Sequence, residues 1–154
     1  MSVALDWLII GGGIHGVHIA ARLLGEAHVS PDRLRIVDPG DRLLARWRTC
    51  TAVTGMSHLR SPSVHHLDLD PWSLEDFADQ RRSRERELFA PPYNRPALAL
   101  FNEHCDRVVE TFGLADLHIR ARATRCAVDC DGVGVQLSSG RDIAARNLVL
   151  AYTT

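Results

Sequence analysis

Apolar and polar positions change period several times along the chain, and each change marks an element. Leu8 to Ile10 form a short continuous apolar run, the pattern of a buried strand, and the run ends at Gly11. From Ile14 to Glu26 the spacing is helical, with Ile14, Val17, Ala20, Ala21 and Leu24 on one side. "HVSPDR" interrupts that pattern, "LRIVD" reads as a second strand ending in Asp38, and "PGDR" turns the chain away. Strand, glycine-rich turn, helix and strand follow one another as a βαβ unit.

Periodicity then fades. Residues from Leu43 to Leu74 read as a long irregular stretch, and structureless segments of that length inside a domain carry function more often than not. "LEDFADQRRSRERELFA" is expected to form a polar helix ended by Pro91-Pro92. A stronger helix is expected from an Asn94 cap, with Leu98, Phe101, Cys105, Val108 and Phe112 as its stripe and Gly113 as its stop. "LADLHIRA" reads as a third parallel strand. Two turn signals, Asp131-Gly132 and Ser139-Gly140, then divide alternating runs into a three-stranded antiparallel meander. "NLVLA" is continuously apolar, as a strand returning to a buried sheet should be.

The consecutive glycines between the first strand and the first helix need a reason, because glycine loses the most backbone freedom on folding. Gly11, Gly13 and Gly16 match G-x-G-x-x-G, in the context that gives the match weight: a strand before, a helix after, an acid ending the next strand. Gly11 permits the tight turn, Gly13 clears the approach of a pyrophosphate, and Gly16 lets helix pack on strand. The N–H groups of Gly12, Ile14 and His15 belong to the same turn, and free amides at a helix start bind phosphates. Asp38 stands where an acid accepts the hydroxyls of an adenosine ribose, which disfavours a 2′-phosphate and therefore NADP at this site. His15 lies inside the turn, where an outward-facing residue is the better reading than a ligand.

Composition narrows the class without changing it. The 154 residues carry a formal net charge of −1, which provides no field for nucleic acid or an anionic membrane. "RRSRER" is local, and Glu85 and Glu87 make it a solvated helix face rather than an RNA site. The N-terminus has no basic region and an early Asp6, so it does not read as a signal peptide. The four cysteines have neither CxxC nor zinc spacing and read as reduced thiols of a cytoplasmic protein. His65 and His66 would point opposite ways on a strand, and no acid or cysteine falls at ligand spacing, so no metal is expected. No Ser/His/Asp or Cys/His arrangement and no carboxylate dyad emerges, and no catalytic residue is named. Nothing in the pattern fixes an oligomeric state.

Pure NAD domains continue to alternate strands and helices, whereas this chain passes through a long loop, helices and a meander. In that organisation, and in "IIGGGIHG", "IVDPG", Trp47, "TGMSHLRSP" and "PPYNRPALALFNEHC", it resembles the two-dinucleotide flavoproteins, particularly the lysine/ornithine N-monooxygenase-like flavin monooxygenases. The resemblance covers nearly all of this chain but only the amino-terminal part of such an enzyme. It implies a Rossmann-like FAD/NAD(P)-binding α/β fold over residues 1–154, with an insertion at about 41–113 and the meander at about 121–145. It further implies FAD as cofactor, NAD(P)H as co-substrate of the intact relatives, and hydroxylation of a small substrate. Gly11 to Gly16 would cradle the FAD pyrophosphate and Asp38 hold the ribose. Arg46 and Trp47 fall where such families line the cofactor, although a solvated arginine and a core tryptophan are equally good readings there. Met56 to Arg60 fall near the isoalloxazine, and Ala123 at a position whose backbone often meets the adenine.

The end departs from that pattern. "LVLAYTT" lacks the Ala-Thr-Gly-type turn, and no second glycine-rich site follows, which leads us to expect a fold incomplete at its C-terminal end and a truncated or frameshifted product. Two other readings stay open: a non-catalytic module that binds NAD or FAD, and a remnant that binds nothing.

Overall fold

The structure is a computed structural model that describes residues 5–81 and 88–152. Its framework is a six-stranded sheet. Strand β1 (Leu5–Ile10) lies at the centre, parallel to β2 (Leu34–Asp38) on one side and to the final strand on the other. Between β1 and β2 runs α1 (Ile14–Gly25), as the helical spacing predicts. β1 starts earlier than the apolar run, because Leu5 and Trp7 pair with Ala145 and Asn147.

Neighbouring residues of β1 and β2 serve opposite faces, which is the two-residue period of a strand. Ile9, Leu34 and Ile36 join Val17, Ala20 and Ala21 of α1 in one buried cluster. Leu8, Ile10 and Val37 join a second cluster on the other face.

The long stretch after β2 is more ordered than its pattern implies. It holds α2 (Ala45–Thr54), which buries only Thr51 and so has no apolar stripe to read. The polar helix is shorter than expected: α3 (Ser73–Gln80) ends well before Pro91, and Phe89–Ala90 is instead β3, paired with β4 (Arg95–Pro96). The basic run at 82–87, with Glu85 and Glu87, lies outside the described residues. His65 and His66 are not on a strand.

Asn94 is not a helix cap. Helix α4 (Leu98–Thr111) starts after Ala97, and Asn94 sits in the β3–β4 turn with φ +47°. Pro96 explains the difference, since the residue before a proline is pushed to extended backbone and Arg95 is accordingly in a strand. The expected stripe holds, with Phe101, Cys105 and Val108 buried, joined by Leu100 and His104. Gly113 (φ +61°) closes the helix by donating its N–H to the Glu110 carbonyl.

Short β5 (His118–Arg120) then pairs parallel to β2, and β6 (Ala123–Asp129), β7 (Gly132–Leu137) and β8 (Asp142–Leu150) complete the order β5-β2-β1-β8-β7-β6. The meander and the returning strand are not separate: β8 is both. Its first residues pair antiparallel with β7 and its last parallel with β1, and Ala145 faces Val133 on one side and Leu5 on the other. Val133, Val135, Leu137 and Ile143 pack with Leu8, Ile10 and Val37, so the meander closes one face of the sheet while the helices close the other.

Candidate functional site

The carboxyl ends of β1 and β2 meet at the glycine turn. Gly11 (φ +112°) receives no side chain because a Cβ there would lie 2.3 Å from the Ala151 carbonyl oxygen. Gly16 is equally constrained: a Cβ would lie 1.8 Å from the Gly11 oxygen, where α1 crosses the turn. These two glycines are required by the protein's own backbone. Gly13 differs, because its added Cβ meets nothing within 4 Å. The space in front of Gly13 is therefore open, and a side chain would fill it.

Gly13 also opens α1. The first intrahelical bond runs from the Val17 N–H to the Gly13 carbonyl, and no side chain caps the helix. The amides of Ile14, His15 and Gly16 thus lack intrahelical partners. The first turn contains no acidic residue to compensate the positive end of the helix dipole. Open space against bare amides at that end suits a diphosphate.

Asp38 faces this turn. Its Oδ2 accepts the Gly12 N–H at 2.8 Å and its Oδ1 accepts the Gly40 N–H at 2.8 Å. Each carboxylate oxygen retains a further acceptor position. The Gly12 carbonyl in turn accepts the Leu44 N–H at 2.7 Å, and Leu44 holds a left-handed φ of +64° while buried. Sequence reasoning did not find Leu44, since nothing about a leucine signals that conformation. Ala121 donates its N–H to the Asp38 carbonyl, which brings the segment leading to Ala123 to the end of β2. Ala123 itself is half-buried at the start of β6.

A cavity of about 490 Å³ flanks the first turns of α1. Trp47, Met56, Leu59, Leu67 and Phe101 provide its apolar surface, and His15, His18, Arg60 and His66 its polar one. No carboxylate lines it. Trp47 is a wall: its ring packs 5.6 Å from that of Phe101 and its indole N–H donates to Asn102 Oδ1 at 3.0 Å. Arg46 is exposed and is not among the lining residues, so of the neighbouring pair only Trp47 reaches the cavity. A larger cavity of about 730 Å³ lies towards the start of β1, between Leu5, Arg35 and Ile143, and includes no residue of the glycine turn.

Behind the cavity wall is a cluster that the sequence did not disclose. Ser73 Oγ lies 2.5 Å from Asp68 Oδ2 and 2.8 Å from Nε2 of the fully buried His104. The hydroxyl donates to the carboxylate and accepts from Nε2–H, which leaves Nδ1 without a partner. Burial chiefly, then the neighbouring His66, lowers His104 to about 4, so its ring is neutral. This is not a nucleophile arrangement: serine stands between the other two, and histidine is no base towards it. Burial likewise pushes the Cys105 thiol up to about 12, away from reactivity. Among the described residues no group of three potential ligands gathers to hold a metal. No described helix is long and apolar enough to cross a membrane.

A βαβ sheet with open space in front of Gly13 and an uncapped helix start at its first turn defines a dinucleotide-binding type of α/β domain. The chain belongs to the FAD-NAD(P)-binding family, which matches it over residues 8–154. Similar solved structures include OTEMO in complex with FAD and NADP (TM-score 0.60, 19% identity, 98% of this chain and 26% of that one). A flavin-containing monooxygenase from Stenotrophomonas maltophilia is comparable (TM-score 0.60, 19% identity, 99% and 41%). So is a cyclohexanone monooxygenase mutant from Rhodococcus sp. Phi1 bound to NADP+ (TM-score 0.65, 16% identity, 97% and 26%). At these identities the likeness is one of fold, and the chain spans between a quarter and two fifths of those chains' length. Among curated proteins none matches it.

Proposed function

We propose that this chain is the FAD-binding part of an NAD(P)H-dependent flavin monooxygenase acting on a small molecule. One observation carries the reading: Gly13 opens onto free space at the uncapped start of α1, while Asp38 is fixed on the same turn. The residues present fit FAD. The amides of Ile14, His15 and Gly16 hold the diphosphate in front of Gly13, the spare acceptor positions of Asp38 take ribose hydroxyls, and the backbone at Ala123 meets the adenine. The cavity of Trp47, Met56, Arg60 and Phe101 receives the ring. Arg46 belongs to this set by resemblance alone. Bound there, FAD would supply the hydride-accepting and oxygen-activating chemistry of a monooxygenase. The protein's residues position it, and the apolar walls exclude water from its ring.

The monooxygenase names of its structural neighbours support the reading, as does the family, which takes both FAD and NAD(P). NAD(P)H enters as co-substrate of the longer relatives. The described cysteines are all free, which favours a cytoplasmic location. The near-neutral charge disfavours nucleic acid as a partner.

Purified protein tests this directly. A yellow preparation that releases about one FAD per chain on denaturation, and from which ADP competes FAD away, is the expected result. Colourless protein that binds NAD or AMP instead replaces this reading with that of a non-catalytic dinucleotide module.

A further inference from the structure

His18 lines the cavity beside α1, one turn after His15 on the same helix. Its Nδ1 lies 3.0 Å from the Leu67 carbonyl oxygen. A carbonyl can only accept, so Nδ1 carries the hydrogen, and Nε2 of the neutral ring is an acceptor. No described residue donates to that Nε2.

His66, in the same wall, is different. Its Nδ1 accepts the Asp68 N–H at 3.1 Å and its Nε2 donates to the Pro71 carbonyl at 3.0 Å, so both nitrogens are engaged within the protein. Of the two lining histidines whose rings are oriented by hydrogen bonds within the protein, only His18 keeps a free acceptor. The donor-only guanidinium of Arg60 lines the same cavity, as do His15, Ser61 and His65. Apolar and aromatic surface surrounds His18 and Arg60, with no carboxylate. A ligand that satisfies this set has a flat ring whose edge bears an N–H beside a carbonyl. Ile14 and His15, whose amides open α1 after Gly13, also line this cavity, and His18 follows Gly13 by about 7.5 Å of helix, so one molecule gripped at the turn can reach into it.

We propose that His18 and Arg60 recognise the imide edge of the flavin ring, His18 accepting the ring N–H at Nε2 and Arg60 donating to a ring carbonyl. The proposal rests on the FAD reading above and goes beyond it by assigning the cavity's selectivity to a histidine that the glycine fingerprint does not include.

Binding of three probes separates the possibilities: FAD, FAD methylated on its imide nitrogen, and ADP, which engages only the cradle. Each is titrated against the full chain, His18→Leu and His18→Gln. The wild-type chain is expected to prefer FAD over the methylated analogue by about tenfold, the worth of one good hydrogen bond. His18→Leu should bind FAD about tenfold more weakly, lose that preference, and bind ADP unchanged. His18→Gln, whose amide oxygen accepts, should keep FAD affinity within about threefold of wild type. The proposal is overturned if His18→Leu binds FAD as tightly as wild type, if it still discriminates against the methylated analogue, or if it loses ADP to the same extent as FAD. Wild-type protein that binds ADP but not FAD overturns the FAD reading beneath, and this assignment with it, so the two failures have different signatures.

Discussion

Asp38 Oδ2 accepts the backbone N–H of Gly12 at 2.8 Å, which ties the end of one strand to the turn that leaves the other. The same carboxylate holds Gly40 through its second oxygen. An acid that sequence reasoning assigns to a sugar is thus also a brace for the cradle. Asp38→Ala removes two charge-assisted hydrogen bonds and should cost about 2 kcal/mol or more, in addition to weakening nucleotide binding. Asp38→Asn, with one acceptor oxygen left, should fall between Ala and wild type. Urea unfolding alongside ADP titration measures both effects, and an Asp38→Ala chain of unchanged stability refutes the bracing role.

The glycines of the fingerprint should separate by mutation. Gly13→Ala adds a methyl group to open space at an ordinary negative φ, so stability should stay within about 1 kcal/mol of wild type, while FAD or ADP affinity falls by tenfold or more. Gly16→Ala drives a methyl into the Gly11 oxygen and should cost about 3 kcal/mol or prevent folding. Circular dichroism melts on the two variants decide the matter. Equal destabilisation of both would remove the distinction between a ligand-facing glycine and a packing one.

His104 should make the protein acid-sensitive. Its ring is held neutral in the folded state down to about pH 4, against an ordinary value of 6.5, whereas the unfolded chain takes up the proton earlier. The stability it contributes is complete above pH 6.5 and is lost as pH falls from there towards 4, in all about 3 kcal/mol. Burial is the first cause, and the facing groups are His66, Asp68 and Arg107. In His104→Leu the loss of stability between pH 7 and pH 4.5 should shrink by about 2 kcal/mol. An unchanged pH slope in that variant would show that the carboxylates alone set it.

Trp47 and Arg46 are neighbours with opposite prospects. Trp47→Ala removes a wall packed on Phe101 and leaves Asn102 without its indole donor, a change expected to cost about 3 kcal/mol and to weaken FAD more than ADP. Arg46→Ala should leave stability within about 0.5 kcal/mol, because the side chain is exposed. Its effect on FAD affinity tests whether the resemblance carries to that position.

The legible parts of this fold are those where local pattern and tertiary role agree. β1, α1, β2 and the meander turns could be read because burial follows strand or helix period there, and because only glycine can take the backbone at Gly11. Helix α2 could not. It buries a single threonine, and its hydroxyls at Thr49, Thr51 and Thr54 bond back to its own carbonyls, so context rather than a stripe holds it. The false cap at Asn94 was correctable from sequence, since Pro96 excludes a helical Arg95. In the candidate site, the glycine turn and the acid that faces it, Asp38, were visible as a spacing. Leu44, His18 and the Ser73–His104 contact were not, because each joins residues brought together only by the fold, such as His18 and Leu67 at 49 positions' separation.

The methyl-free face of Gly11 rests on Ala151, 140 residues further along the chain. A ribosome making this protein has released the fingerprint long before it adds the strand that seats it, and Ile10 waits for Leu150, 140 residues later. The glycine turn is therefore seated only after β8 has been made. A nascent chain halted short of β8 would display the fingerprint glycines without the backbone that seats them.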